Sequence, residues 1–171
     1  MTASSSPVSR WGLVAYAIAL VTVLADQLSK AWAVGPMHLN DLGSVPVIPP
    51  FFRLTLVENR GVSFGLLSAD TPAGRWMLVV MAGLVAAGLI WWVRKADRPL
   101  FAAAIGLVIG GALGNNLIDR ARIGRVIDFL DFSGLYFPWV FNVADSAITV
   151  GVILLLLDNL LASKPAPAKR D

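Results

Sequence analysis

The sequence predicts an all-α integral membrane protein: four transmembrane helices, with a small extracytoplasmic β element between helices 1 and 2. Three observations lead there. The 171 residues are 57% hydrophobic and only 15% charged, where a soluble domain carries roughly 25% charged residues. Four stretches approach the roughly 20 apolar residues that cross a bilayer core. The basic residues between them are placed asymmetrically, as the positive-inside rule requires of a multi-pass protein.

The first span covers residues 11–34 and is interrupted by Asp26 and Lys30. The second (76–93) and third (99–118) carry no charge, and the fourth (139–161) contains Asp145, with Asp158 at its far end. Arg94-Lys95-Ala96-Asp97-Arg98 is a tight basic turn, and Pro99 suits the first turn of the next helix. With four spans, this turn and both tails share one side, which its charge makes cytoplasmic; the three places hold seven of the 14 basic residues. Trp11, Trp91, Trp92 and Trp139 fall near span ends, where interfacial aromatics belong. Arg10 and the apolar run behind it imitate a secretory signal ending at Ala31-Trp32-Ala33, but Asp26 and Lys30 would be out of place just before a cleavage site. Phe52-Arg53-Leu54-Thr55-Leu56 alternates apolar with polar, and Asn59-Arg60-Gly61 supplies a turn, so a short strand or hairpin follows span one. Pro138 is the natural start of the fourth helix, which puts Asp145 about 10 Å along it at 1.5 Å per residue. Residues 1–162 read as one membrane domain and 163–171 as a disordered cytoplasmic tail.

Composition narrows the chemistry. Without cysteine there is no thiolate nucleophile and no Cys-ligated metal, and one histidine, His38, cannot make a multi-His zinc site. The 14 Lys and Arg are scattered, so nucleic acid is not a partner despite a net charge of +3. Ionisable groups inside a bilayer are costly and are functional candidates by default. Asp26 and Lys30 share a helix face at i,i+4, either as a neutralising ion pair or to orient a substrate. Gly106, Gly110 and Gly114 form a small-residue stripe that lets helices approach. Beyond it lie Asn115, Asn116, Asp119 and Arg120, then Asp128 between hydrophobic neighbours, with Asp131 three residues on. Asn142 lies three before Asp145 and can hold its carboxylate.

Two close carboxylates share a proton, so one can activate water while the other donates to a carbonyl oxygen or a leaving amine. The spacing leaves Asp119, Asp128 and Asp131 open as partners of Asp145. Ser29, Ser63 or Ser146 with Lys30 has no favourable spacing, and His38 has no partner motif. A proton-coupled carrier using Asp26, Lys30, Asp119 and Asp145, or a helix-binding assembly factor, are the alternatives; the first fits poorly with charges crowded on one side, the second leaves paired acids unexplained.

Taken in order, five segments resemble the lipoprotein signal peptidases (signal peptidase II) of bacteria. Asp26-Gln27-Leu28-Ser29-Lys30 resembles D-Q-x-x-K, and Asn59-Arg60-Gly61-Val62-Ser63-Phe64 is similar to N-x-G-A-[AS]-F. Gly110-Gly111-Ala112-Leu113-Gly114 with Asn116-Leu117-Ile118-Asp119-Arg120 resembles G-G-x-x-G-N-x-x-D-R. Val126-Ile127-Asp128-Phe129 resembles V-x-D-F, and Phe141-Asn142-Val143-Ala144-Asp145-Ser146 matches F-N-x-A-D-S. The resemblance implies a metal-independent aspartic endopeptidase, without a cofactor, at the outer face of the cytoplasmic membrane. It would cut diacylglyceryl-modified prolipoproteins just before the lipidated cysteine. It implies Asp128 and Asp145 as the catalytic pair, supported by Asp26, Lys30, Asn59, Gly61, Asn116, Asp119, Arg120 and Asn142. Membrane lipids and cyclic peptide inhibitors of the globomycin type are further implied partners. Two departures stand out. Val62 replaces the commoner Ala. Asn115 is an extra residue before the N-x-x-D-R match, so either Asn115 or Asn116 takes the Asn role, and the insertion turns the glycine stripe by about 100° relative to the polar cluster unless a bulge absorbs it.

Overall fold

The computed structural model describes residues 7–61 and 71–162. Val62, Ser63 and Phe64 of the second motif and the expected tail at 163–171 lie outside the described residues.

Four helices are long and apolar enough to cross a membrane. Helix α1 spans Arg10–Val34 and is capped by Ser9, whose hydroxyl accepts from Gly12 N. A short helix α2 (Leu39–Leu42) and strands β1 (Ser44–Ile48) and β2 (Phe52–Asn59) follow. Helix α3 spans Pro72–Val93, with Thr71 as its cap and Pro72 in the first turn, where its missing N–H costs nothing. Helix α4 (Pro99–Ala112) runs on into a π-helical stretch (Leu113–Arg120) and a last turn, α5 (Ala121–Ile123), ended by Gly124 at φ 79°. Strands β3 (Val126–Asp131) and β4 (Val140–Phe141) precede helix α6 (Val143–Ala162).

Two boundaries differ from the sequence expectation. The third helix passes residue 118 to reach Ile123, because the wider π turns carry it on through the polar cluster. The fourth helix begins at Val143, not at Pro138, because Val140 and Phe141 pair with Asp131 and Leu130 in the sheet and stay extended. Asp145 therefore sits in the first turn of α6 and not 10 Å along it.

The β element is also larger than a hairpin after helix 1. It is a four-stranded antiparallel sheet in the order β1-β2-β3-β4, drawing two strands from each long connection. Leu54, Ile127 and Phe129 pack with Ala33 and Leu39, which ties the sheet to the end of α1 and to α2. The β2–β3 register sets Val57 opposite Asp128 and Asn59 opposite Val126, so Asn59 and Asp128 are diagonal neighbours on one face.

Helix α4 is the centre of the bundle, packed against α1 on one side and α6 on the other. Glycines make both contacts possible. A Cβ on Gly110 would fall 2.5 Å from Thr22 Cβ and 2.7 Å from the Ala19 carbonyl, and one on Gly151 of α6 would fall 2.7 Å from the Ala104 carbonyl. At the end away from the sheet, Ser9 donates to the Arg94 and Ala96 carbonyls, and Arg98 Nη1 lies 2.9 Å from Asp158. Arg10 and the basic turn are thus gathered at one end. Gly110→Val is expected to push α1 off α4 at an overpacking cost of about 1–3 kcal/mol. Thermal unfolding in detergent should show a lower Tm than wild type; an unchanged Tm would mean that the close approach is not needed.

Candidate active site

The site is built at the junction of the helices and the sheet, beginning with a buried cation. Lys30 is 4% exposed and Asp26 fully buried. The ammonium of Lys30 donates to Asp26 Oδ2 at 2.7 Å and to Asn115 Oδ1 at 2.7 Å, and lies 2.6 Å from Asp119 Oδ2. Its three hydrogens therefore have three acceptors, the condition under which a charge can remain away from water. Asp26 Oδ1 also accepts from Ala144 N at 3.0 Å, in the first turn of α6, where a negative charge is favoured. Gly114 leaves room for this carboxylate, since a Cβ there would come within 2.8 Å of Asp26 Oδ2. Both Asp26 and Lys30 spend their bonds on the protein, which makes them a support for the site, not a surface offered to a ligand.

The two motif acids meet through Asn142. Its side-chain oxygen accepts from Asp145 N at 2.8 Å, and Asp145 Oδ2 accepts from Asn142 N at 3.2 Å. This is a reciprocal capping box at the start of α6. The Asn142 amide nitrogen then donates to Asp128 Oδ1 at 2.6 Å, with Asn115 Oδ1 at 3.0 Å and the Ile127 carbonyl at 3.3 Å also in reach. Asn115 Nδ2 donates to Asp145 Oδ1 at 2.8 Å, and Asn59 Nδ2 donates to Asp128 Oδ2 at 3.1 Å. Burial, reinforced by the nearby charge of Asp145, pushes the Asp128 carboxyl up to about 7. Asp128 and Asp145 line one cavity of about 960 Å³ with Asn59, and Trp139, Phe141 and Ile148 form its apolar wall.

The remaining residues divide. Asp119 is held beside Lys30 and accepts from Gln27 at 2.8 Å. Asn59 Oδ1 accepts from Gly61 N at 3.0 Å, and Arg120 Nη2 reaches the Gly61 carbonyl at 3.4 Å. Arg120 Nη1 is buried and has no hydrogen-bond partner among the described residues. Of the two asparagines left open by the sequence, Asn115 touches Lys30, Asn142 and Asp145, whereas Asn116 turns back to the Ala112 carbonyl and to Arg120 Nε. The π-helical stretch absorbs the extra residue and rotates Asn115 into the cluster. Asp131 belongs to a separate group; the Thr55 hydroxyl donates to it at 2.6 Å and holds it below its ordinary value. Gln27 was not singled out from the sequence, although an amide beside Asp26 in an apolar span was signal enough.

A family model described as signal peptidase (SPase) II matches residues 18–161. The chain belongs to the signal peptidase II family. It is 55% identical over 160 residues to a lipoprotein signal peptidase of Caulobacter vibrioides, covering 94% of both chains. It is 43% identical over 155 residues to one of Symbiobacterium thermophilum, covering 88% of this chain and 97% of that one. A solved bacterial membrane enzyme superposes with a TM-score of 0.77 at 30% identity, covering 92% of this chain and 94% of that one. As a signal peptidase II, the chain is a protease of aspartic type.

The Lys30 cluster gives a direct test. Lys30→Met leaves Asp26 and Asp119 buried and unpaired, a loss of about 3–5 kcal/mol. Thermal unfolding should show a large drop in Tm, partly recovered by adding Asp119→Asn. Wild-type stability in the single variant would refute the supporting role.

Proposed function

We propose that Asp128 and Asp145 are the catalytic pair of this signal peptidase II, which removes signal peptides from prolipoproteins, and that it cuts just before a diacylglyceryl-modified cysteine. The observation that carries the pair is their joint attachment to Asn142 at the floor of one cavity. The mechanism starts with one proton on the pair, assigned to Asp128, whose carboxyl is pushed up to about 7 by burial and by the neighbouring Asp145. Asp145 takes a proton from water, and the water oxygen attacks the scissile carbonyl carbon. Asp128 gives its proton to the carbonyl oxygen. Collapse of the tetrahedral diol breaks the C–N bond: the proton gained by Asp145 goes to the leaving amine, and a hydroxyl proton of the diol returns to Asp128, which restores the starting state of the pair. Asn59 and Asn142 fix Asp128, Asn115 fixes Asp145, and the unspent Arg120 Nη1 is the donor left for a substrate carbonyl. Positioning of this kind is the entropic part of the rate.

The bilayer placement belongs to the same reading. All four helices span the cytoplasmic membrane, with both termini and the basic turn inside and the sheet and acids at the outer face. Residues 1–162 form one domain and 163–171 a cytoplasmic tail. The apolar wall at Trp139 and Ile148 admits the lipid-bearing substrate from the side and is where a cyclic peptide of the globomycin type would bind.

Purified protein is expected to cleave a diacylated lipobox peptide and to leave its non-lipidated twin intact. Asp128→Asn and Asp145→Asn should each lower cleavage by about 10²–10⁴-fold or more while the protein remains inserted and folded; full activity in either variant would reject the pair. The pH dependence has a definite sign. A carboxyl near 7 in the folded chain and near 3.9 unfolded binds more protons when folded between those values, so it lowers stability as pH rises through that window. Asp128→Asn removes the penalty, so the variant should gain stability on wild type between pH 5 and pH 8 by about 3 kcal/mol, read as a growing difference in Tm. The alkaline limb of kcat/KM should fall near pH 7. A variant that loses stability relative to wild type across this range would contradict the burial of a protonated Asp128.

A further inference from the structure

A second cavity, of about 330 Å³, lies on the other side of the Asn59-Arg60-Gly61 turn and takes no part in the chemistry above. Arg60, Arg75, Arg125 and Trp76 line it, and the N-terminus of the 22-residue helix α3 opens on it at Thr71 and Pro72. Arg75 is fixed: its Nε donates to the Arg120 carbonyl at 2.8 Å, its Nη2 to the Ala121 carbonyl at 2.5 Å, and its guanidinium lies 5.5 Å from the Trp76 ring. Arg60 and Arg125 share a single carboxylate, Glu58, at 3.6 and 2.9 Å. Three guanidinium groups therefore face one acid among the described residues. The shorter of those contacts is poorly aimed, so Arg125 Nε is shut off from solvent without a hydrogen-bond partner among the described residues. A surplus of oriented donors in a concave site calls for an anion with several acceptor oxygens.

We propose that this cavity binds a phosphate group, and that its source is the headgroup of an anionic phospholipid. Depth argues for lipid. Trp76 is 52% exposed at the end of a membrane-length helix, where indole rings meet lipid headgroups. The helix end adds its partial positive charge to the arginines. The consequence for the enzyme is mechanical. Asn59 faces Asp128 while the next residue, Arg60, faces the second cavity, and Arg75 grips the carbonyl of Arg120, whose side chain reaches Gly61. A bound phosphate would tie β2, α3 and the turn after α5 together directly behind the catalytic cleft. This inference rests on the bilayer placement proposed above and not on the catalytic pair.

The test uses the full chain in zwitterionic detergent, with thermal unfolding followed against short-chain phosphatidylglycerol or inorganic phosphate. Phosphatidylglycerol is expected to raise the Tm by several degrees, and Arg60→Gln/Arg125→Gln to abolish the shift. Glu58→Gln, which frees both guanidinium groups, is expected to enlarge it. A shift with phosphatidylglycerol alone assigns the site to lipid. A matching shift with inorganic phosphate upholds a phosphate site and overturns the lipid as its source. No shift in wild type, or one that survives the double substitution, overturns the site. Peptide cleavage by the double variant in detergent is expected to match wild type, so loss of the shift and failure of the catalytic reading remain separable.

Discussion

A lysine ammonium held away from water is the constraint from which the rest of the site follows. Lys30 can only donate, so every group around it must present an acceptor. Asp26 and Asp119 have no other choice, but Asn115 does, and the ammonium decides its orientation. With Asn115 Oδ1 turned to Lys30, its amide nitrogen is left for Asp145 Oδ1. The three acceptors also come from two helices, α1 and the π-helical stretch, and Asp26 continues to the backbone of α6. One ion thus locks the helix that carries an acid and aims a donor at that acid.

The same logic operates at Asn142. The backbone N–H of Asp145 can only donate, so it claims the Asn142 oxygen and leaves the amide nitrogen for Asp128. Both acids consequently face amide donors, Asn115 oriented by the lysine ammonium and Asn142 by the backbone of α6. A carboxylate in this setting has its lone pairs aimed before any substrate arrives, which is the sense in which a site on rigid elements is preorganised. It also explains why the fourth helix must start at Val143. A helix starting at Pro138 would place Asn142 in its interior, with its backbone N–H already bonded and unable to complete the cap.

What the sequence revealed follows the range of the interactions involved. The four long apolar helices depend on hydropathy over 20 neighbouring residues and were legible with their order; the Asp26–Lys30 pair depends on i,i+4 spacing and was legible as well. The sheet was legible only in its first half, because β2 and β3 are some 70 residues apart and the Val126–Asp131 segment carries no alternation that separates a strand covered on both faces from a buried turn. The start of α6 was misplaced because Pro138 is a strong local signal, and the pairing of Val140 and Phe141 that overrides it is tertiary. Asn115 and Asn116 could not be separated, since the choice turns on the phase of a helix and a π turn changes that phase within one residue. Physical reasoning left three partners for Asp145; resemblance alone chose Asp128, and Asn142 contacts both of these acids.

Charge balance gives the proposed mechanism its physical reason for a shared proton. Asp26, Asp119, Asp128 and Asp145 face two cations, Lys30 and Arg120, and five of these six side chains are almost fully buried. Full ionisation would leave two uncompensated negative charges in this buried cluster. Asp26 and Asp119 are bound directly to the ammonium. Asp128 and Asp145 are held only by neutral amides, so they are the acids to which the proposed mechanism gives the shared proton. On that mechanism the supporting residues do more than hold the acids in place: their unequal number of charges favours a proton on the pair before hydrolysis begins.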